Sequence, residues 1–211
     1  MCQPFRKVRF GVVKISAADP HCLKAKGLAP CLDAKGKRGV VAGTRCGLLR
    51  RLVLHKLNDS RITVQLADEA ATASLAAKLA RSLTPGAVVF LRGDLGAGKT
   101  TLVRALLRAL GYAGRVKSPT YALVEQYEAS GLHLRHFDLY RFRDPEEWEA
   151  AGFRDEFDGS NVCLIEWPEK AQGLLPQEDL GIVLEILPHG RSAVLTAHTT
   201  IGKKCLTALR D

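Results

Sequence analysis

The sequence predicts an α/β protein, a mixed β-sheet with helices on its faces. Two observations carry that prediction. Apolar runs of strand length alternate with helical patterns through the last 150 residues, and hairpin-like pairs flank them. Between one such strand and helix lies Gly93-Asp94-Leu95-Gly96-Ala97-Gly98-Lys99-Thr100, followed by Thr101. It fits G-x-x-x-x-G-K-[ST], a loop whose backbone amides cradle a polyphosphate. Glycines let the chain curl without a Cβ, Lys99 brings a point charge to the β- and γ-phosphates, and the Thr100 hydroxyl suits Mg²⁺. The fold class is therefore P-loop NTPase-like, and the ligand a nucleoside triphosphate.

Composition sets bounds. The chain has 211 residues, 46% hydrophobic, with a formal net charge of +9. Residues 1–60 hold 13 Lys/Arg against 3 Asp/Glu, a net of +10; residues 61–211 hold 18 against 19, a net of −1. The excess charge thus belongs to the head, and the rest is not a basic nucleic-acid-binding fold. No apolar run approaches the ~20 residues that span a bilayer, so no membrane partner is expected. Six cysteines form no C-x-x-C pair, which argues against a zinc site and for a reducing cytoplasm.

Three domains follow: an extension over 1–58, an ATPase-type domain over 59–198 and a tail over 199–211. The extension has no sustained periodicity. It reads as a basic arm for RNA, a transit peptide or an overcalled start, and the expectation is overcalling or plain disorder.

Arg61 to Leu66 alternates polar and apolar, a half-buried strand. Asp68 caps a helix that runs through residues 70–83, and Thr84-Pro85-Gly86 turns into a buried strand over 87–92. After the loop, Leu102, Ala105, Leu106, Ala109 and Leu110 recur at helical spacing, and Gly111 stops the helix. Residues 122–127 and 132–138 read as strands about a hairpin turn at 128–131. Asp144-Pro145-Glu146-Glu147 starts a short helix that ends at Gly152. Asn161 to Glu166 is an apolar strand with a carboxylate at its end, and Cys163 within it is a buried small hydrophobe. Residues 180–187 and 191–197 are strands across Pro188-His189-Gly190, and the tail from Thr199 looks poorly packed.

A P-loop site needs a second carboxylate at a neighbouring strand end. Glu166 is the first candidate and Asp138 the second. The segments GDLGAGKTTL, VKSPTY, HFDLYR, DPEE and IEWPE, in that order, resemble the bacterial TsaE family. These are small P-loop ATPases needed for making threonylcarbamoyladenosine next to the anticodon of tRNA. The similarity covers the chain from about residue 61 and none of the extension.

The resemblance implies an ATPase that works with the TsaD and TsaB transferase subunits and touches tRNA only through that complex. It implies that Gly93 to Thr101 wrap ATP, that Thr100 and Glu166 sit at Mg²⁺, and that Asp138 directs water. Thr120 resembles a switch threonine for the γ-phosphate; Glu69, Thr72 and Arg191 would lie near the nucleoside. Trp167 reads either as a site residue or as core packing, and Arg141 either as a charge stabiliser or a surface ion-pair partner. His133 and His136 read as strand residues without a catalytic role. Alternatives are a small-molecule kinase, against which stands the lack of an arginine-rich lid, and a nucleotide-dependent scaffold.

Overall fold

The computed structural model describes the backbone of residues 54–58 and residues 60–144 and 146–210 in full. The strands are β1 (Leu54–Asn58), β2 (Arg61–Leu66), β3 (Val88–Arg92), β4 (Val124–Ala129), β5 (Leu132–Asp138), β6 (Asn161–Glu166), β7 (Leu180–Ile186) and β8 (Arg191–Ala197). They form one sheet in the order β1-β2-β8-β7-β3-β6-β5-β4. The middle four, β7, β3, β6 and β5, are mutually parallel, and the pairs at both flanks run antiparallel. The mixed sheet with flanking hairpins is thus as expected, and β6, buried at every residue, lies between β3 and β5.

Helices α1 (Glu69–Ala80), α2 (Lys99–Ala109) and α4 (Thr200–Arg210) share one core with the sheet, in which Leu75, Leu79, Leu102, Leu106 and Leu206 meet Leu91, Leu164 and Leu195. On α1, Asp68 is the N-cap and its carboxylate accepts from Ala71 N at 2.8 Å. A second core gathers Phe90, Phe137, Phe142, Trp148 and Ile165 with Phe153 and Phe157. The short helix α3 (Glu146–Ala150) and a 3-10 turn at Phe153–Phe157 supply it. Cys163 is buried there, and burial pushes its thiol up to about 12.

Helix α1 ends at Ala80 rather than at 83, β4 runs Val124–Ala129 rather than 122–127, and two larger differences stand beside these end shifts. The tail is helix α4, with Gly202, Cys205, Leu206 and Leu209 buried. Its apolar residues fall on one stripe, but Thr200 and Gly202 weaken the local helical signal, so tertiary packing decides. Strand β1 lies inside the span given to the extension. Its sequence, Leu54-His55-Lys56-Leu57-Asn58, lacks clean alternation, and the antiparallel register with β2 (His55 to Thr63, Asn58 to Arg61) makes it a strand. The remainder of the extension, residues 1–53, lies outside the described residues. No helix among the described residues is long and apolar enough to cross a membrane.

Candidate nucleotide and metal site

Three parallel strands end together. Leu91 is in register with Glu166, and Glu166 with Asp138, so the loop after β3 faces two carboxylates one strand and two strands away. The C-terminal edge of parallel strands is where ligands bind in open α/β sheets, because the loops diverge there. Here they enclose a cavity of about 260 Å³, lined by Gly96, Lys99, Thr100, Thr120, Asp138, Glu166 and others.

The loop itself can be built only with glycine. Gly93, Gly96 and Gly98 have φ of 134°, 81° and 106°. A Cβ on Gly93 would lie 2.2 Å from the carbonyl oxygen of Leu184, so the loop rests directly on β7. Ala97 is fully buried, and Asp94 and Leu95 form the exposed tip. Gly98 caps α2, whose first turn contains no acid, which leaves its positive end to an anion.

Lys99 is 4% exposed. Its Nζ donates to the carbonyls of Gly93 at 2.6 Å and Asp94 at 3.0 Å and lies 3.9 Å from the centre of the Trp167 ring. Burial lowers its pKa; Glu166, Asp138, Glu169 and Asp94 pull the other way. Trp167, for which a site role and core packing were alternatives, is half-buried, packs on the second core and lines the cavity. It does so in a left-handed backbone conformation (φ 59°), which costs a non-glycine residue and commonly marks a functional site.

The candidate metal residues are joined. Thr100 Oγ1 donates to Glu166 Oε1 at 2.8 Å, and Glu166 is 3% exposed. No group of three or more His, Cys, Asp or Glu suited to a metal occurs among the described residues. One hydroxyl and one carboxylate fit Mg²⁺, which keeps most of its ligands as water and substrate phosphate.

Asp138 is held from three sides. Ser118 Oγ and Thr120 Oγ1 donate to Oδ2 at 2.7 and 2.6 Å, and Tyr140 N donates to Oδ1 at 3.1 Å. The turn that brings Thr120 here is stitched to β5: Leu123 N donates to the Pro119 carbonyl, and Asp138 N to the Leu123 carbonyl. Thr120 thus sits on Asp138, with Ser118 as a partner the sequence did not single out.

Glu69, Thr72 and Arg191 come together in a smaller recess of about 30 Å³, beside Gly98 and Thr101. Gly98, Thr101 and Arg191 line both hollows, and Arg191 Nη2 donates to the Gly96 carbonyl at 3.3 Å. Arg141 is elsewhere, its guanidinium 3.9 Å from the ring centre of exposed Tyr121. His133 lies half-way out on β5 near Glu128. His136 is a strand residue of β5, as read, and is fully buried, with Nε2 at 2.9 Å from Glu166 Oε1. Two apart on β5, His136 and Asp138 share a face, but the sequence alone does not show that Glu166 lies opposite.

The family model for "Threonylcarbamoyl adenosine biosynthesis protein TsaE" matches residues 66–193. Among curated relatives, the tRNA threonylcarbamoyladenosine biosynthesis protein TsaE of Haemophilus influenzae is 49% identical over 124 residues, covering 59% of this chain and 78% of that protein. The protein of the same name from Bacillus subtilis is 42% identical over 123 residues, 58% and 75% of the two chains. The crystal structure of Bacillus subtilis YdiB superposes with a TM-score of 0.61 at 29% identity, covering 75% of this chain and 97% of that one.

Proposed function

Because this chain belongs to the TsaE family and so takes part in tRNA threonylcarbamoyladenosine biosynthesis, we propose that within that pathway it is a Mg²⁺-dependent ATPase subunit. It acts in the cytoplasm with the TsaD–TsaB transferase and meets tRNA through that complex. The observation that carries this reading is the convergence on one cavity of a buried lysine, a hydroxyl–carboxylate pair and a separately held aspartate.

ATP would supply the phosphoryl group, and a Mg²⁺ held by Thr100 and Glu166 would offset the charge that its transfer develops. The chain's own residues position and neutralise. Gly93 to Thr101 offer backbone N–H groups and the α2 dipole to the phosphates. Lys99 exchanges its two carbonyl partners for phosphate oxygens. Thr100 and Glu166 hold the metal's shell, and Asp138 orients the attacking water as the hydroxyls of Thr120 and Ser118 release it. Thr120 then reports the γ-phosphate to the surface. Glu69, Thr72 and Arg191 flank the nucleoside.

Calorimetric titration tests the binding half of this reading. Lys99→Ala should weaken ATP by roughly 10- to 100-fold, since a hydrogen bond to a charged group contributes about 1.5–3 kcal/mol. Asp138→Asn should bind ATP as the parent does. Unchanged affinity in Lys99→Ala would place the nucleotide elsewhere.

A further inference from the structure

We propose that His136 is a positioning residue for Glu166: as the Nε2–H tautomer it donates to Oε1 and so turns Oε2 toward a divalent cation. The proposal rests on the ATPase reading above and assigns a residue that the reading does not use. Its basis is a shared acceptor. Glu166 Oε1 receives Thr100 Oγ1 at 2.8 Å and His136 Nε2 at 2.9 Å, while Oε2 has no hydrogen-bond partner among the described residues. Both anchors thus fall on one oxygen of a carboxylate that lines the cavity. A carboxylate pinned at one oxygen keeps its plane and rotamer, and the other oxygen stays available.

The register explains how the imidazole arrives there. On β5, Leu134, His136 and Asp138 alternate onto the face that carries α2, and β6 presents Leu164 and Glu166 beside them. His136 is fully buried at the depth of Leu164, one step beneath the two carboxylates.

The tautomer follows from the other ring nitrogen. Nδ1 is buried and has no partner among the described residues. A proton there would be a buried donor without an acceptor, which costs more than an unshared lone pair, whereas Nε2 faces a carboxylate oxygen. Neutral imidazole with its proton on Nε2 satisfies both. An aliphatic residue would fill the same space but leave Oε1 with Thr100 alone. Glutamine would return a donor at a comparable distance from the backbone.

The experiment uses the whole 211-residue chain and its His136→Gln and His136→Leu variants. Mn²⁺ binding in the presence of ADP is read by electron paramagnetic resonance, and ADP binding in EDTA by calorimetry. Removing a partner that orients a metal ligand typically costs about 10–100-fold in metal affinity. His136→Leu should therefore weaken Mn²⁺ about tenfold or more, His136→Gln should stay within about threefold of the parent, and ADP affinity in EDTA should be equal in all three. Long-range ¹H–¹⁵N correlation on the parent chain should show the Nε2–H tautomer, a readout that needs no variant to fold. Parental Mn²⁺ affinity in His136→Leu, equal losses in both variants, or an Nδ1–H tautomer would each overturn the assignment. Failure of the parent chain to bind nucleotide would instead remove the ATPase reading beneath it, a result distinguishable from the other three.

Discussion

Lys99 concentrates the residue-scale physics. An ammonium group that is 4% exposed is costly unless an anion accompanies it, and here two carbonyls and an indole ring serve until one arrives. Burial holds its pKa below the ordinary lysine value of 10.5. Because the folded value is depressed, the unfolded chain binds more protons just below 10.5, and this residue's contribution to stability rises with pH there. A polyphosphate favours the charged form and raises the value again. At alkaline pH below 10.5, between the lowered and the ordinary lysine value, nucleotide binding should therefore take up a fraction of a proton, and affinity should fall as pH climbs further. Calorimetry in two buffers of different ionisation enthalpy measures the uptake; zero uptake would contradict the assigned role of Lys99. The sequence displayed this residue plainly, since glycines and a lysine at fixed spacing have few other uses. It did not display His136 or Ser118, because their significance lies in which side chain faces them across strands and turns. Asp138 and Glu166 stand between these cases: each was visible as a strand-end acid, and only the parallel register puts them side by side.

Elements were legible where local pattern and tertiary context agree. β6 matches its expected span, the hairpin tip sits at Ser130-Gly131 with both residues at positive φ, and Gly111 closes α2 as expected. Helix α4 was missed because its formation depends on contact. Gly202 is the reason it can dock: a Cβ there would lie 1.9 Å from the Asp179 carbonyl oxygen and 2.8 Å from its carbon. Asp179 is in turn a buried connector, accepting from Val88 N and from Thr199 at the start of the helix. Gly202→Ala should push α4 off the sheet and cost about 1–3 kcal/mol, or roughly 3–10 °C in Tm for a domain of this size. Lys203→Ala, on the exposed face, should stay within about 0.5 kcal/mol. Thermal unfolding of the two variants decides; equal melting temperatures would mean that the close approach is not what seats the helix.

At the scale of the whole molecule, sequence pattern gives the alternation of strands and helices but not the order β1-β2-β8-β7-β3-β6-β5-β4. Strand order is a property of long-range pairing, and the pairing of β3 with both β6 and β7 puts partners about 75 to 90 residues apart side by side. That order gives the cavity its contents: a phosphate loop, two carboxylates and a hydroxyl turn, with one arginine on the wall. Arg191 is the arginine that lines the cavity among the described residues, and it is engaged at the tip of the loop. Phosphoryl transfer without an arginine on the γ-phosphate loses about 10³–10⁵ in rate. A partner that lends charge, or that frees Asp138 from Thr120 and Ser118, would recover it. On the proposed function, the chain is thus an ATPase completed by assembly. The most direct test is phosphate release by the chain alone, by the chain with the TsaD–TsaB transferase, and by Asp138→Asn with the same partners. Slow release alone, a marked rise with the transferase, and loss of that rise in Asp138→Asn with ATP still bound are the expected results. Fast release by the isolated chain, unchanged by the transferase, would contradict completion by assembly.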